Sequence, residues 1–347
     1  MKIETPNRII ISRTDSIGDV MLTLPIAGIL KKEFPDCEIL FLGRTYTKDV
    51  VKCSVFVDGF VDYAELEKLT EKEQIQRIQS LNADTIIHVF PRKNIAKLAK
   101  KSGIKNRIGT SHRLYHWLTC NRLVAFSRKK SDLHEAELNT KLLKPIIDKE
   151  ISYSLTQLSE LAGFANIAPL REELKEKLDN KRLNIILHPK SKGSAREWGL
   201  ENFVELINLL PEEKFNIIIT GTQEEGNEIA KAFDDKIRRN IQNLCGKMSL
   251  SELISFVSQS DAMIACSTGP LHIASMAGVH AIGLYPPIKP MHPGRWKPIG
   301  KNAKVFVVDK ECDTCRKTND CECIRAIQPK EIADYCNKKV NKNGSNL

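Results

Sequence analysis

The chain has 347 residues, 41% hydrophobic and 28% charged, a balance that suits two ordinary domains and excludes both a single small module and a chain disordered throughout. Apolar runs such as residues 305–308 fall far short of the ~20 residues that cross a bilayer, and residues 1–16 carry neither the apolar stretch nor the cleavage site of a secretory signal, so a soluble cytoplasmic protein is expected. The net charge of +10 (53 basic against 43 acidic residues) favours phosphorylated small molecules or an anionic membrane surface; scattered cations, 6% aromatics and no nucleic-acid motif argue against base readout.

Residues 8–12 (RIIIS) are a short β-branched run, and a polar turn leads to residues 20–34, where Val20, Leu22, Leu24, Ile26, Ile29 and Leu30 recur as on a helix. Pro35 and Asp36 stop that helix, and residues 38–42 (EILFL) read as the next strand. Residues 85–90 (TIIHVF), ahead of Pro91, are a further buried strand. Continuous apolar runs between helical stretches mark a parallel sheet covered on both faces. Residues 1–155 are therefore expected to form one doubly wound α/β domain, and the charged, helical stretch 156–180 a linker region.

The scheme then repeats. Strands are expected at 183–187, 216–220, 262–265 and 281–284. Helices are expected from about 200 to 210, at 224–233, at 249–258 behind the capping-box pair Ser249 and Glu252, and at 271–277. This predicts a second Rossmann-like α/β domain over 181–326, including a cysteine-rich loop near its end. Two such domains bind ligands at the C-terminal edges of their sheets, which directs attention to the loops after strands.

Three loops carry unusual residues. In the first (residues 13–19), Gly18 permits a close backbone approach, and Asp19 is either a helix cap or a general base aimed at an interdomain cleft. The second (residues 188–198) sets Lys190, Lys192 and Arg196 among Ser191, Gly193 and Ser194; it is a phosphate cradle without the Walker pattern, or a mobile basic loop. In the third (residues 266–272), Thr268 and Gly269 offer amides at a helix N-terminus. Pro270 suits the first helical position, and His272 falls in the first turn.

These motifs, in this order, resemble glycosyltransferase family 9, the lipopolysaccharide heptosyltransferases. Residues 9–41 look like that family's N-terminal signature. The Lys247-Met248-Ser249-Leu250 stretch, the Ser267-Thr268-Gly269-Pro270-Leu271-His272 turn and the cysteine-rich end before Ile327-Gln328-Pro329 match its later ones. The resemblance implies a GT-B fold, two Rossmann-like domains facing across a cleft that closes on its substrates. It implies inverting, metal-independent transfer of heptose from ADP-heptose to a lipopolysaccharide inner-core acceptor, by a cytoplasmic enzyme in peripheral contact with the inner membrane.

Carried over by position, Asp19 is the catalytic base. Lys190, Ser191, Lys192, Arg196, Glu225 (or Glu224), Met248, Ser267, Thr268, Gly269 and His272 fall on the donor side, and Arg13, Gly18 and Asn139 on the acceptor side. Ser267 stands where many members carry an Asp, which opens the alternative of another nucleotide-sugar donor. A further alternative is a nucleotide-sugar-binding protein without catalysis. No Asp-x-Asp pair occurs to clamp a metal on the diphosphate, and no cofactor is expected to be required.

Cys312-x2-Cys315-x5-Cys321-x-Cys323 offers four thiolates to zinc, although the C-x-C spacing is unusual and reduced, packed cysteines account for it as well. The aromatic and basic stretch His112, Arg113, Tyr115, His116, Trp117 is either a partly buried helix with surface charges or an acceptor-side or membrane-facing surface. Glu135 and Asn139, four apart, share a helix face. By analogy with GT-B proteins, residues 327–340 are expected to return as a helix to the first domain, and residues 341–347 to be disordered.

Overall fold

The structure is a computed structural model that describes residues 4–147, 149–289, 291–310, 312, 315, 320–340 and 342. The expectation for residues 341–347 lies, except for Lys342, outside the described residues. The chain divides into two units, residues 1–166 and 167–347.

The first unit is built on a six-stranded sheet: β1 (Arg8–Ser12), β2 (Glu38–Gly43), β3 (Gly59–Asp62), β4 (Thr85–His88), β5 (Asn106–Thr110) and β6 (Arg122–Val124). Their spatial order is β3-β2-β1-β4-β5-β6, and every pairing is parallel. Ile9, Ile10 and Ile11 are all fully buried, so consecutive side chains on β1 meet protein on both faces, as a helix-covered parallel sheet requires. One face packs Ile10, Leu40, Leu42 and Ile86 against Ile95 and Leu98 of the helix Lys93–Lys101.

The helix expected over 20–34 is two helices, Ile17–Met21 and Pro25–Glu33. Pro25 lacks the amide an uninterrupted helix needs and sits instead in the first turn of the second helix. The helix Leu155–Leu161 packs on Pro25–Glu33, which carries the first unit to residue 166 rather than 155 and absorbs the start of the expected linker.

The second unit repeats the plan with β7 (Leu183–His188), β8 (Phe215–Ile219), β9 (Gln242–Asn243), β10 (Ala262–Cys266), β11 (His280–Leu284) and β12 (Ala303–Phe306), in the order β12-β11-β10-β7-β8-β9. Trp198, Phe203 and Leu206 join Ile185, Leu187 and Ile217 in its core. The last helix, Pro329–Lys339, lies along the helix Leu200–Leu209. Its Ile332, Ala333 and Cys336 belong to the second unit's core, so the apolar face of this helix is covered within its own unit.

In each sheet the strand order reverses once. The reversal falls between β1 and β4 in the first unit and between β7 and β10 in the second. At such a point the two following loops diverge to opposite faces and leave a crevice at the C-terminal edge. The first and second of the unusual loops follow β1 and β7, and the third follows β10.

Candidate active site

In the first unit the crevice is organised by Arg13, which directly follows β1 and is 3% exposed. Its amide donates to the Leu42 carbonyl (3.0 Å), prolonging the sheet by one bond. Its guanidinium donates to Asp15 (2.7 Å), to Asp19, to Glu135 (3.1 Å) and to Asn139 (3.5 Å). Burial works against that charge, but the carboxylates of Asp19, Asp15 and Glu135 outweigh it and raise the Arg13 pKa.

Arg128 braces the same pair from the other side, donating to Glu135 and, at 2.9 Å, to Asn139. Glu135 and Asn139, on the helix Glu135–Thr140, are 1% and 0% exposed. The Asn139 amide also donates to Leu22 O (2.9 Å) and Thr23 Oγ1 (3.2 Å). Arg13 and Asn139, expected on the acceptor side, are thus both buried in one hydrogen-bonded network behind the loop. Gly18 is likewise buried, in the first turn of Ile17–Met21.

Asp19 lies in that turn, but the N-cap is Ser16. The Ser16 hydroxyl donates to the Asp19 carboxylate and makes no bond to a helix amide. The cap reading of Asp19 therefore gives way: Arg13 and Ser16 fix its carboxylate while 18% of the side chain stays exposed, as a proton acceptor needs.

Asp15, which the sequence did not single out, is held at about 6 by burial together with the Asp19 charge, against the pull of Arg13. Beyond β4, Arg92, the N-cap of Lys93–Lys101, donates to Thr14 Oγ1 (2.6 Å) and stacks over Phe90 (5.2 Å).

In the second unit the β7 loop is ordered by acids. Lys190 bridges Glu197 (2.9 Å) and Glu228 (2.8 Å); burial opposes its charge, and the hydrogen bonds to Glu228 and Glu197 raise its pKa. The Ser191 amide and hydroxyl donate to Glu197 Oε1 at 2.9 and 3.0 Å. Neither Lys190 nor Ser191 is therefore a bare phosphate donor.

Lys192 is exposed, on a left-handed turn (φ 49°) followed by Gly193 (φ 77°). Its amide donates to Glu225 (3.3 Å). Arg196 is 8% exposed and donates to the carbonyl of Cys315 (3.4 Å). Between the two cations, the side chain at the open surface is that of Lys192.

Glu225 closes a capping box with Thr222 and accepts the Lys192 amide, so its carboxylate is engaged, whereas Glu224 is exposed. Met248, half-buried, ends a turn in which Gly246 (φ 70°) donates its amide to Gly221 at the end of β8 (2.9 Å).

After β10, Thr268 is the N-cap of Gly269–Met276 with no side-chain cap bond, and its buried hydroxyl has no partner among the described residues. His272 is buried in this helix's first turns. Ser267 hydrogen-bonds the Tyr285 hydroxyl, which donates to Trp296 O (2.7 Å). The register pairs Ala265 with His188, so the turn 267–269 and the loop 189–196 flank the same crevice.

Two further expectations find their places. Cys312, Cys315 and Cys323 bring three sulfurs together. The aromatic and basic stretch forms the helix Leu114–Thr119, with His116 and Thr119 buried but Leu114, Trp117 and Leu118 exposed at 88%, 63% and 74%. The helix is thus partly buried, and its open side adds apolar Leu114, Trp117 and Leu118 to the exposed His112 and Arg113.

The model of glycosyltransferase family 9 (heptosyltransferase) matches residues 72–324. The chain is 30% identical over 324 residues to a putative glycosyltransferase of Haemophilus influenzae, with 89% of each chain covered. It is 23% identical over 294 residues to the lipopolysaccharide core heptosyltransferase OpsX of the same organism, covering 81% of this chain and 80% of that one. Among solved structures, E. coli ADP-heptose lps heptosyltransferase II superposes with a TM-score of 0.72 at 17% identity, covering 97% of this chain and 98% of that one. That likeness is one of fold, the GT-B arrangement of two α/β lobes.

Proposed function

The chain belongs to glycosyltransferase family 9, and from that premise we propose that it transfers heptose from ADP-heptose to a lipopolysaccharide inner-core acceptor, with inversion and without a metal clamp on the diphosphate. The observation that carries the reading is the Asp19 carboxylate, fixed by Arg13 and Ser16 yet partly open, at the strand-order reversal of the first unit.

Asp19 takes the proton of the acceptor hydroxyl as that oxygen attacks the anomeric carbon. The bond from that carbon to the diphosphate oxygen breaks, and its electron pair leaves with the diphosphate. The rigid salt-bridged support of Asp19 keeps the base in one orientation, which lowers the entropic part of the barrier. On the donor side, the amides of Gly269 and Leu271 at a helix N-terminus, the Thr268 hydroxyl, without a partner among the described residues, and the exposed Lys192 suit the growing negative charge of the leaving group.

The exposed Leu114, Trp117 and Leu118, in a chain of net charge +10, favour peripheral contact with an anionic membrane, where a lipid-linked acceptor is presented. No helix among the described residues is long and apolar enough to span it. Ser267, tied to Tyr285 rather than offering a charge, favours as a second reading the same transfer from a different nucleotide-sugar.

Thermal shifts with ADP-heptose and with ADP-, UDP- and GDP-hexoses separate the readings, because a ligand at ~100 times its Kd stabilises by about 2.7 kcal/mol. ADP-heptose is expected to give the largest shift, and a larger one from another donor selects the second reading. Asp19→Asn should lose turnover by at least ~100-fold and keep the donor shift. Retained turnover removes Asp19 as the base.

A further inference from the structure

Four thiols crowd one corner of the second unit. The sulfurs of Cys312, Cys315 and Cys323 lie within 4.8 Å of one another, with Cys315 and Cys323 at 3.7 Å. The buried Cys321 hydrogen-bonds Cys315 through its side chain. The Cys315 amide donates to Cys312 Sγ (3.5 Å), the bond that a thiolate in a C-x2-C turn accepts to offset its charge.

The distances distinguish the possible reasons for such crowding. A disulfide needs sulfurs ~2.05 Å apart, and none of the ten cysteines is in one. A metal with four thiolates at ~2.3 Å in a tetrahedron sets its sulfurs about 3.8 Å apart, which is the Cys315–Cys323 spacing. Simple packing gives no reason for three cysteine sulfurs to gather at one point, with the thiol of Cys321 hydrogen-bonded to one of them, where aliphatic side chains would fill the space as well. We propose that Cys312, Cys315, Cys321 and Cys323 hold one tetrahedral, thiolate-ligated metal ion, zinc or iron. Four sulfurs in a closed set suit those two metals and leave no open position for chemistry.

The segment that bears these cysteines is fastened to the β7 loop. Arg196 donates to Cys315 O, Trp198 Nε1 to Ile327 O (2.9 Å) and Asn202 to Arg325 O (2.9 Å). A metal at the four sulfurs fixes the Cys315 carbonyl and through it the Arg196 guanidinium, making Arg196 a positioning residue for the loop that carries Lys192. This second consequence rests on the proposed donor site; the metal site does not.

The full-length protein, purified anaerobically under reducing conditions and counted by elemental mass spectrometry, should carry about one metal per chain. Iron would show visible thiolate charge-transfer absorption and zinc none, and Co(II) replacement should give the intense d–d bands of a tetrahedral sulfur site. Cys321→Ser/Cys323→Ser should drop the count at least tenfold, and Cys53→Ser should leave it unchanged. If the double variant does not fold, the wild-type count and the Co(II) spectrum decide. No metal on the wild type, even after anaerobic incubation with Zn(II) or Fe(II), overturns the site, as does a full count in the double variant. Metal-free protein should also bind ADP several-fold more weakly, as Arg196→Gln should; unchanged ADP binding overturns the positioning role. Failure of ADP to bind the loaded protein speaks against the donor reading and leaves the metal count as it was.

Discussion

At Arg13 a single guanidinium serves several acceptors, and their environments differ. Glu135 is almost fully buried and braced by Arg128, whereas Asp19 and Asp15 both keep an open edge. Folded Asp15 titrates at about 6 against an ordinary 3.8, because burial and the Asp19 charge outweigh Arg13. The folded state thus holds this proton more tightly than the unfolded chain does. Its contribution to stability is fully present below about pH 3.8 and is lost as the pH rises through about 6. Asp15→Asn stays neutral throughout. Relative to wild type it should therefore gain on the order of 2 kcal/mol between about pH 4 and pH 7, read from urea unfolding at the two values. A wild-type-to-variant difference that stays flat across that window would contradict the assignment. None of this was legible locally: Glu135 reaches Arg13 across 122 positions of sequence, and only the fold brings them together.

Among the elements, those with long apolar runs were readable. β1, β2, β4, β7, β8, β10 and β11 are buried on both faces, and their Ile- and Leu-rich stretches announce it. β3 (GFVD), β5 (NRIGT), β6 (RLV), β9 (QN) and β12 (AKVF) were not. Four of these five are the edge strands of their sheets and β5 adjoins one; at an edge one side meets solvent and a short polar strand suffices. The loops of the site were legible because Gly, Ser and Lys stand directly after predicted strands; which of their side chains stay open was not, since the acids Glu197, Glu225 and Glu228 decide that in space. Helix packing follows the same logic at Gly28. It lies inside Pro25–Glu33, where Ala should be favoured by about 1 kcal/mol on propensity. A Cβ there would run into the Leu161 carbonyl, which is backbone and cannot swing aside. Gly28→Ala is accordingly expected to destabilise the first unit by about 1–3 kcal/mol despite its propensity, lowering the urea midpoint; a raised midpoint would show that the helix Leu155–Leu161 yields freely.

The molecule as a whole answers to pH through two units with separate cores, and each holds a neutral histidine at the end of a strand, buried in the first unit and half-buried in the second. His88 ends β4, where burial, helped by His116 and Arg107, lowers it to about 3. His188 ends β7 beside Thr220 Oγ1 (3.0 Å), and burial lowers it to about 4 against the pull of Glu225. For a base depressed from 6.5, the contribution to stability is present above that value and lost as the pH falls toward the folded one, because the unfolded chain takes up the proton first. This runs opposite to Asp15, so mild acid weakens both units through their histidines while Asp15 partly offsets the loss in the first. The two sites can be separated because each lies in its own unit. His188→Gln keeps a partner for Thr220 and cannot charge. Between about pH 6.5 and 4 it should spare the second unit on the order of 3 kcal/mol and leave the first unchanged. Hydrogen exchange read by mass spectrometry tests this directly: acid should speed exchange in Phe215–Ile219 less in the variant than in wild type, with Thr85–His88 alike in both. If Thr85–His88 is protected equally, the units do not open separately, and acid lability is a property of the chain rather than of each core.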